Sequence, residues 1–438
     1  MDENPHLHQR FNQRPQPPTT TPESIDQRIT PSLAVTSHKK QQPVIFGNFV
    51  LSAFTRWFGL NKFRVHVPWT AYIAQNIGQS PAFDAAIYCV NSIFMGHTHE
   101  DQKLQSASRQ VYSKALRLFG ERIRSADAMG SRESVSITIA LSLFEAYSRT
   151  SSDSWARHAA GTALLMAHRG PAAHQTGFDR CLYLSFRSFL VAEAFINGKR
   201  CIFERPEWQA HIDQVRAEDM ASPRVDGPIA LFIDLQDRIF MEVVRIPGFL
   251  FRARRLRVSS EPEPESRKSI QSLADEVGNS NHTLHTLTAQ LRLAAAVQSY
   301  DVYAEKTPFI GPIPSTFPQE FANSVLRGSD HCLFILGLLG GYLDGLTGRE
   351  ISPRNQDDDA VVDPLPFRIV SKLGRKEKEV RASSVDAENM PSADKWLDMV
   401  AASMGLEAFD TVPCTGLSPD SSGHVEDVHQ SERTLPLR

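Results

Sequence analysis

Two stretches of this sequence carry residue types that could move a proton or hold a metal. The first is LFEAYSRTSSDSWARHAAGTALLMAHRGP, residues 143–171, with Glu145 and His158 on either side of a polar break. A carboxylate and an imidazole brought face to face can serve as an acid–base pair. Held between helices, the same two groups form a structural pair, with Arg169 and Arg187 as further partners for the buried charge. The structural role is the preferred reading. The second stretch is HTHE, with His97, His99 and Glu100. Structural zinc takes four ligands, and helical pairs sit three or four residues apart, so two alternate histidines without a nearby cysteine read as a solvated turn. The chain has no GxSxG elbow, no phosphate-cradling glycine loop and no dinucleotide fingerprint. No catalytic, cofactor-binding or metal-ligating residue is therefore assigned. The run RARRLR, with Arg252, Arg254, Arg255 and Arg257, could act as a nuclear localisation signal or be an ordinary solvated face; the run from Lys372 to Arg381 is diluted by Glu377 and Glu379.

The elements that must position Glu145 and His158 are two helices and a turn. Val135, Ile139, Leu143 and Tyr147 follow a four-residue step, with Ser131 or Ser134 as the cap. SRTSSDS is a turn that ends in Asp153 or Ser154 as the next N-cap. From Trp155 the second helix is dense in small residues, among them Gly161, which predicts a central helix packed on several sides. Arg169 lies at the carbonyl end of that helix, Gly170 supplies a left-handed cap and Pro171 forbids continuation.

Around this pair the sequence predicts an all-α chain. Helices are expected from Val44, around Trp69–Ile77, from Pro81 to about Met95, through Leu104–Leu118, over 179–197, within 229–244, over 281–304, over 317–346 and over 393–406. Gly340-Gly341 is expected to mark a bend or a close packing contact. Residues 1–43, rich in Pro and Gln, read as disordered; 44–410 as the helical domain, with loops at 259–267 and 353–391; 411–438 as a polar tail. With 438 residues, 41% hydrophobic, the chain can bury a large core, and a net charge of −3 argues against chain-wide attraction to nucleic acid or anionic membrane. Cys89, Cys181, Cys201, Cys332 and Cys414 form no CxxC pair and read as free thiols. No apolar leader or spanning run is found.

The order Glu145 in LFE, Trp155, His158, Gly161, Arg169-Gly170-Pro171 resembles a segment of the fungal-specific transcription factor domain. Pro68-Trp69, the helix from Pro81, Tyr112 with Ala115-Leu116, Arg187 and Pro206-Glu207-Trp208 extend the likeness over roughly residues 46–250. The resemblance implies a helical regulatory domain in the nucleus. Its partners would be other transcriptional regulators, a second copy of itself or a small-molecule effector, and its targets would include a metabolic gene cluster. The family's DNA reader is a six-cysteine zinc cluster with two CxxC pairs, and no such cluster occurs in these residues, where the first cysteine is Cys89. Sequence-specific DNA binding by this chain alone is therefore not expected. The alternatives are a helical enzyme with an unrecognised site, which a pocket of converging titratable groups would reveal, and an interaction scaffold without a transcriptional role.

Overall fold

The computed structural model describes residues 31–53, 64–148, 154–225, 227–258, 264–297 and 317–347. Every regular element among them is a helix: α1 (Pro31–Ala53), α2 (Trp69–Asn76), α3 (Pro81–Thr98), α4 (Gln102–Arg122), α5 (Ala126–Met129), α6 (Arg132–Ser148), α7 (Ser154–Arg169), α8 (Gly177–Ile196), α9 (Pro206–Met220), α10 (Gly227–Val243), α11 (Ile246–Val258), α12 (Pro264–Val297) and α13 (Phe317–Thr347). Short 3₁₀ turns at Pro171–His174 and Ile202–Glu204 join α7 to α8 and α8 to α9. The all-α expectation holds.

Caps explain several starts. Ser80 accepts from the Phe83 amide at 3.4 Å, with Pro81 in the first turn of α3, where a missing N–H costs nothing. Asp101 accepts from Lys103 and Leu104 at 2.9 and 3.0 Å and starts α4. Ser131, not Ser134, caps α6 through the Ser134 amide at 3.1 Å. Gly170 differs from the expectation. Its φ of 75° and ψ of 163° lie outside the left-handed helical basin, in a region essentially restricted to glycine. The chain thereby turns sharply from α7 into the Pro171 turn.

The central helix is not the one the sequence suggested. In α6 every residue from Ser134 to Ala146 is buried, whereas α7 leaves a face exposed at Arg157, Leu164 and His168. Leu164 is 72% exposed, and among the described residues a Cβ on Gly161 would meet no heavy atom within 4 Å, so no close packing is seen there. The serines and threonines of α6 made it look amphipathic. They survive burial because their hydroxyls find carbonyls: Ser136 bonds to Arg132 O at 2.9 Å, Thr138 to Ser134 O at 3.1 Å, and Ser142 to Trp155 O at 2.9 Å. Around α6 lie α3, α7 and α8, and α8 is itself buried along nearly its whole length.

Other boundaries also shift. α1 begins at Pro31 instead of near Val44, and its buried Gln42 accepts from the Asn91 amide at 2.8 Å. The proline- and acid-rich stretch expected as a loop over 259–267 already starts α12 at Pro264, with Glu265 favourable in the first turn. α12 and α13 pack side by side along most of their length. α13 runs unbroken through Gly337, Gly340, Gly341 and Gly345, and a Cβ at any of these would meet nothing within 4 Å. Among the described residues the expected close contact at Gly340-Gly341 is therefore absent, these glycines lying on or beside the outer face of the helix. Each is less favourable there than alanine by about 0.8–1.0 kcal/mol. The loop at 353–391, the helix at 393–406, the tail at 411–438 and Cys414 lie outside the described residues.

Candidate functional site

α4, α6 and α7 meet around one hydroxyl, and the turn SRTSSDS between α6 and α7 lies largely outside the described residues. Tyr112 of α4 stacks on Phe144 with ring centres 4.4 Å apart, and its hydroxyl lies 2.8 Å from His158 Nε2. The same hydroxyl is hydrogen-bonded to the Glu145 carboxylate. Ser154 Oγ donates to Glu145 Oε2 at 2.7 Å. A carboxylate only accepts, so the phenol proton goes to Glu145 and His158 must donate Nε2–H to the phenol oxygen. Burial, followed by the Glu145 bond and charge, raises the Tyr112 phenol well above its ordinary range. Burial also lowers the His158 imidazole, with Glu145 opposing and Arg157 assisting. Glu145 and His158 are thus brought together only through Tyr112. The result is a relay of satisfied hydrogen bonds in which the phenol holds its proton.

Neither arginine offered as a partner for Glu145 pairs with it. Arg169 binds Asp179 Oδ1 at 2.8 Å, beside Arg132, which binds Asp179 Oδ2 at 2.6 Å. Asp179 therefore ties the start of α6, the end of α7 and the start of α8. Arg187 belongs to a larger cluster, of which the amino-acid pattern shows little sign. Its guanidinium reaches Asp237 Oδ1 at 2.7 Å and covers the Phe240 ring at 4.3 Å. Asp237 also receives a bidentate contact from Arg64, whose Nε binds Asp219 at 2.7 Å. Asp219 continues to Arg180, and Arg180 to Glu218 at 2.8 Å. Three arginines alternate with three carboxylates across α8, α9, α10 and the segment before α2.

Arg64 is 1% exposed and Asp237 0%. Burial pushes the Asp237 carboxyl upward, but Arg187 and Arg64 outweigh it and hold the group below its ordinary value. Arg64 is likewise penalised by burial and raised overall by Asp237 and Asp219. Arg180 and Arg187 stand seven residues apart on a largely apolar helix, and that spacing was the one signal in the sequence.

Trp208 is the third focus. It is buried between His174 and His211, each ring centre 5.7 Å away, with Tyr183 and Phe203 alongside. Pro206 and Glu207 form the exposed first turn of α9 that carries it. Burial pushes both histidines down to about 4, aided at His174 by Arg169 and at His211 by Arg180. Neither Nε2 has a hydrogen-bond partner among the described residues.

His97 ends α3 in helix, His99 caps it, and Glu100 takes φ 54°. Among the described residues no three His, Cys, Asp or Glu side chains gather as metal ligands. The four described cysteines are free and buried, and burial pushes the thiols of Cys181, Cys201 and Cys332 up to about 12. Of the basic run on α11, Arg252 forms a bidentate pair with Glu276 at 2.9 and 2.7 Å, Arg254 packs against Gly198, and Arg255 lies over Phe251. The Arg257 side chain lies outside the described residues. No described helix is long and apolar enough to cross a membrane.

Fold and clusters define an all-helical protein organised on buried polar groups. It belongs to the family of the uncharacterized protein AN5342 of Emericella nidulans, to which it is 32% identical over 399 residues, 88% of this chain and 84% of that protein. No protein-family model matches the chain, and no solved structure does.

Proposed function

We propose that this chain is a nuclear transcriptional regulator whose helical domain acts by contacting other regulators rather than by reading bases or by catalysis. The observation that carries the proposal is the ordered motif series from Glu145 to Arg169-Gly170-Pro171, continued by Arg187 and Pro206-Glu207-Trp208. The roles these residues take support it. Glu145 and His158 are held in the Tyr112 relay, Trp155 packs on Phe189, Arg169 pairs with Asp179, and Trp208 anchors α9. Most of the motif thus shapes a core, as a regulatory scaffold requires. Phosphate contacts through the α11 arginines would be weak, indifferent to sequence and steeply salt-dependent.

The test uses the full chain. Expressed in fungal cells with a fluorescent tag, it should accumulate in the nucleus, and chromatin capture should enrich a discrete set of promoters. Purified, it should select no preferred DNA sequence at physiological salt. Uniform cytoplasmic signal without promoter enrichment would refute the transcriptional role. Recovery of one tightly bound sequence would refute dependence on a partner for DNA contact.

A further inference from the structure

The turn between α9 and α10 carries Ser222-Pro223-Arg224, a hydroxyl followed by a proline and then a cation. Proline disfavours helical backbone at the residue before it, so α9 stops at Met220 and Ser222 leaves the helix. Ser222 is half-buried, while Pro223 and Arg224 are exposed. Its Oγ accepts from the Arg224 amide at 3.3 Å, and the Arg224 guanidinium donates to His66 Nδ1 at 3.0 Å. His66 is itself exposed, in the segment before α2. An amide donor, an arginine two residues on and the imidazole that this arginine reaches thus share one surface corner.

That set fits a phosphate better than a hydroxyl. A phosphoserine carries a charge of about −1.5 to −2 and three acceptor oxygens. Beside an arginine it gains charge-assisted hydrogen bonds, and a histidine that takes up a proton adds a second cation. Asp219 lies one turn back, where its carbonyl accepts from the Ser222 amide at 3.0 Å. Its carboxylate is turned inward, 4% exposed and held by Arg64 and Arg180, which blunts its repulsion of a new anion. Ser80-Pro81 is the other place among the described residues where a hydroxyl residue precedes proline, and its setting is the reverse. The Ser80 hydroxyl caps α3 and donates to Glu133, so a phosphate there would meet a carboxylate. Ala82 stands where the Ser222 turn has its arginine.

We propose that Ser222 is a phosphorylation site for a proline-directed protein kinase, and that Arg224 and His66 receive the phosphate. Ser222 Oγ attacks the γ-phosphorus of a nucleoside triphosphate, the bond from that phosphorus to its bridging oxygen breaks, and the diphosphate departs. The hydroxyl proton passes to the base of the kinase. The phosphate then clasps the segment before α2 to the α9–α10 turn at the surface. Beneath it, the buried Arg64–Asp219 bond of 2.7 Å already joins that segment to α9. This holds whether or not the protein regulates transcription.

The test incubates the purified full chain with a purified proline-directed kinase and ATP, maps phosphate by mass spectrometry and follows hydrogen exchange. Ser222 should be modified in the folded chain and Ser80 should not. Phosphate should slow exchange at Val65, His66 and Val67 by at least about threefold. His66→Ala, outside the segment the kinase reads, should leave phosphorylation of Ser222 unchanged and remove that slowing. A chain left unmodified at Ser222 overturns the proposal, as does modification there only after denaturation. Slowing that persists in His66→Ala, or none in the modified wild type, removes His66 as a receptor and overturns it as well.

Discussion

The Tyr112 relay and the Arg64 cluster solve the same problem, polar groups inside a helical core, by opposite means. In the relay the Glu145 carboxylate accepts from the neutral hydroxyls of Tyr112 and Ser154, and His158 closes the chain as a neutral imidazole. In the cluster every group is an ion and every ion has an opposite neighbour: Arg187, Asp237, Arg64, Asp219, Arg180 and Glu218 in sequence. Removing a member of the relay leaves one dipole unmatched. Removing a member of the cluster leaves whole charges stranded, and a stranded buried charge costs far more than the pair contributed. The two clusters should therefore differ sharply in their tolerance to substitution.

The largest effect is expected at Asp237. Asp237→Ala strands Arg64 and Arg187 together and should lower stability by about 3–5 kcal/mol in denaturant titration. A loss under about 1 kcal/mol would mean that water reaches the cluster, and the contrast with the relay would fail.

Acid should separate the Trp208 region from the Arg64 cluster. The folded state lowers His174 and His211 to about 4, so the unfolded chain binds protons first, below its ordinary value near 6.5. Stability is fully present above that value and declines as pH falls toward 4, by on the order of 3 kcal/mol for His174. Asp237, held below its ordinary carboxyl value, contributes stability that is lost only as pH falls further. Thermal melts between pH 7 and pH 4 should thus weaken first through the Trp208 region, and His174→Gln should flatten that slope. An unchanged slope in the variant would assign the decline to other groups.

Tyr112→Phe is the corresponding cut in the relay. It removes one neutral hydroxyl from Glu145 and His158 and should cost about 1–2 kcal/mol, well below Asp237→Ala. A loss equal to that of Asp237→Ala would show that the relay carries its charge no more cheaply than the cluster.

At the small end, Arg252→Ala breaks a half-exposed pair with Glu276 and should change stability by about 0–1 kcal/mol. Nuclear accumulation should nevertheless fall if the α11 arginines are the import signal, which separates that role from a structural one.

What could be read from the sequence follows the same division. Helices with capping residues and a clean apolar step, such as α3 and α4, were legible because local chemistry alone defines them. The need of Glu145 for a partner was legible because a carboxylate within an apolar run must be matched, whereas its bonds to Tyr112 and Ser154 were not. The centrality of α6 was not, since Ser136, Thr138 and Ser142 look like a solvent face until their carbonyl partners are seen. Arg64, Asp219 and Asp237 were not legible either. Each is an ordinary surface residue type, and only the fold brings the three together.

Arg64 bears on the order in which this protein can mature. Its partners Asp219 and Asp237 lie 155 and 173 positions later in the chain. At a synthesis rate of about 5–20 residues per second, the arginine waits roughly 8–31 s on the ribosome before the first of these carboxylates exists. Until then the nascent amino-terminal helices must keep that guanidinium in water. They can reach their final packing only after α10 has emerged, so translation speed over the middle of the message becomes part of how the core is assembled.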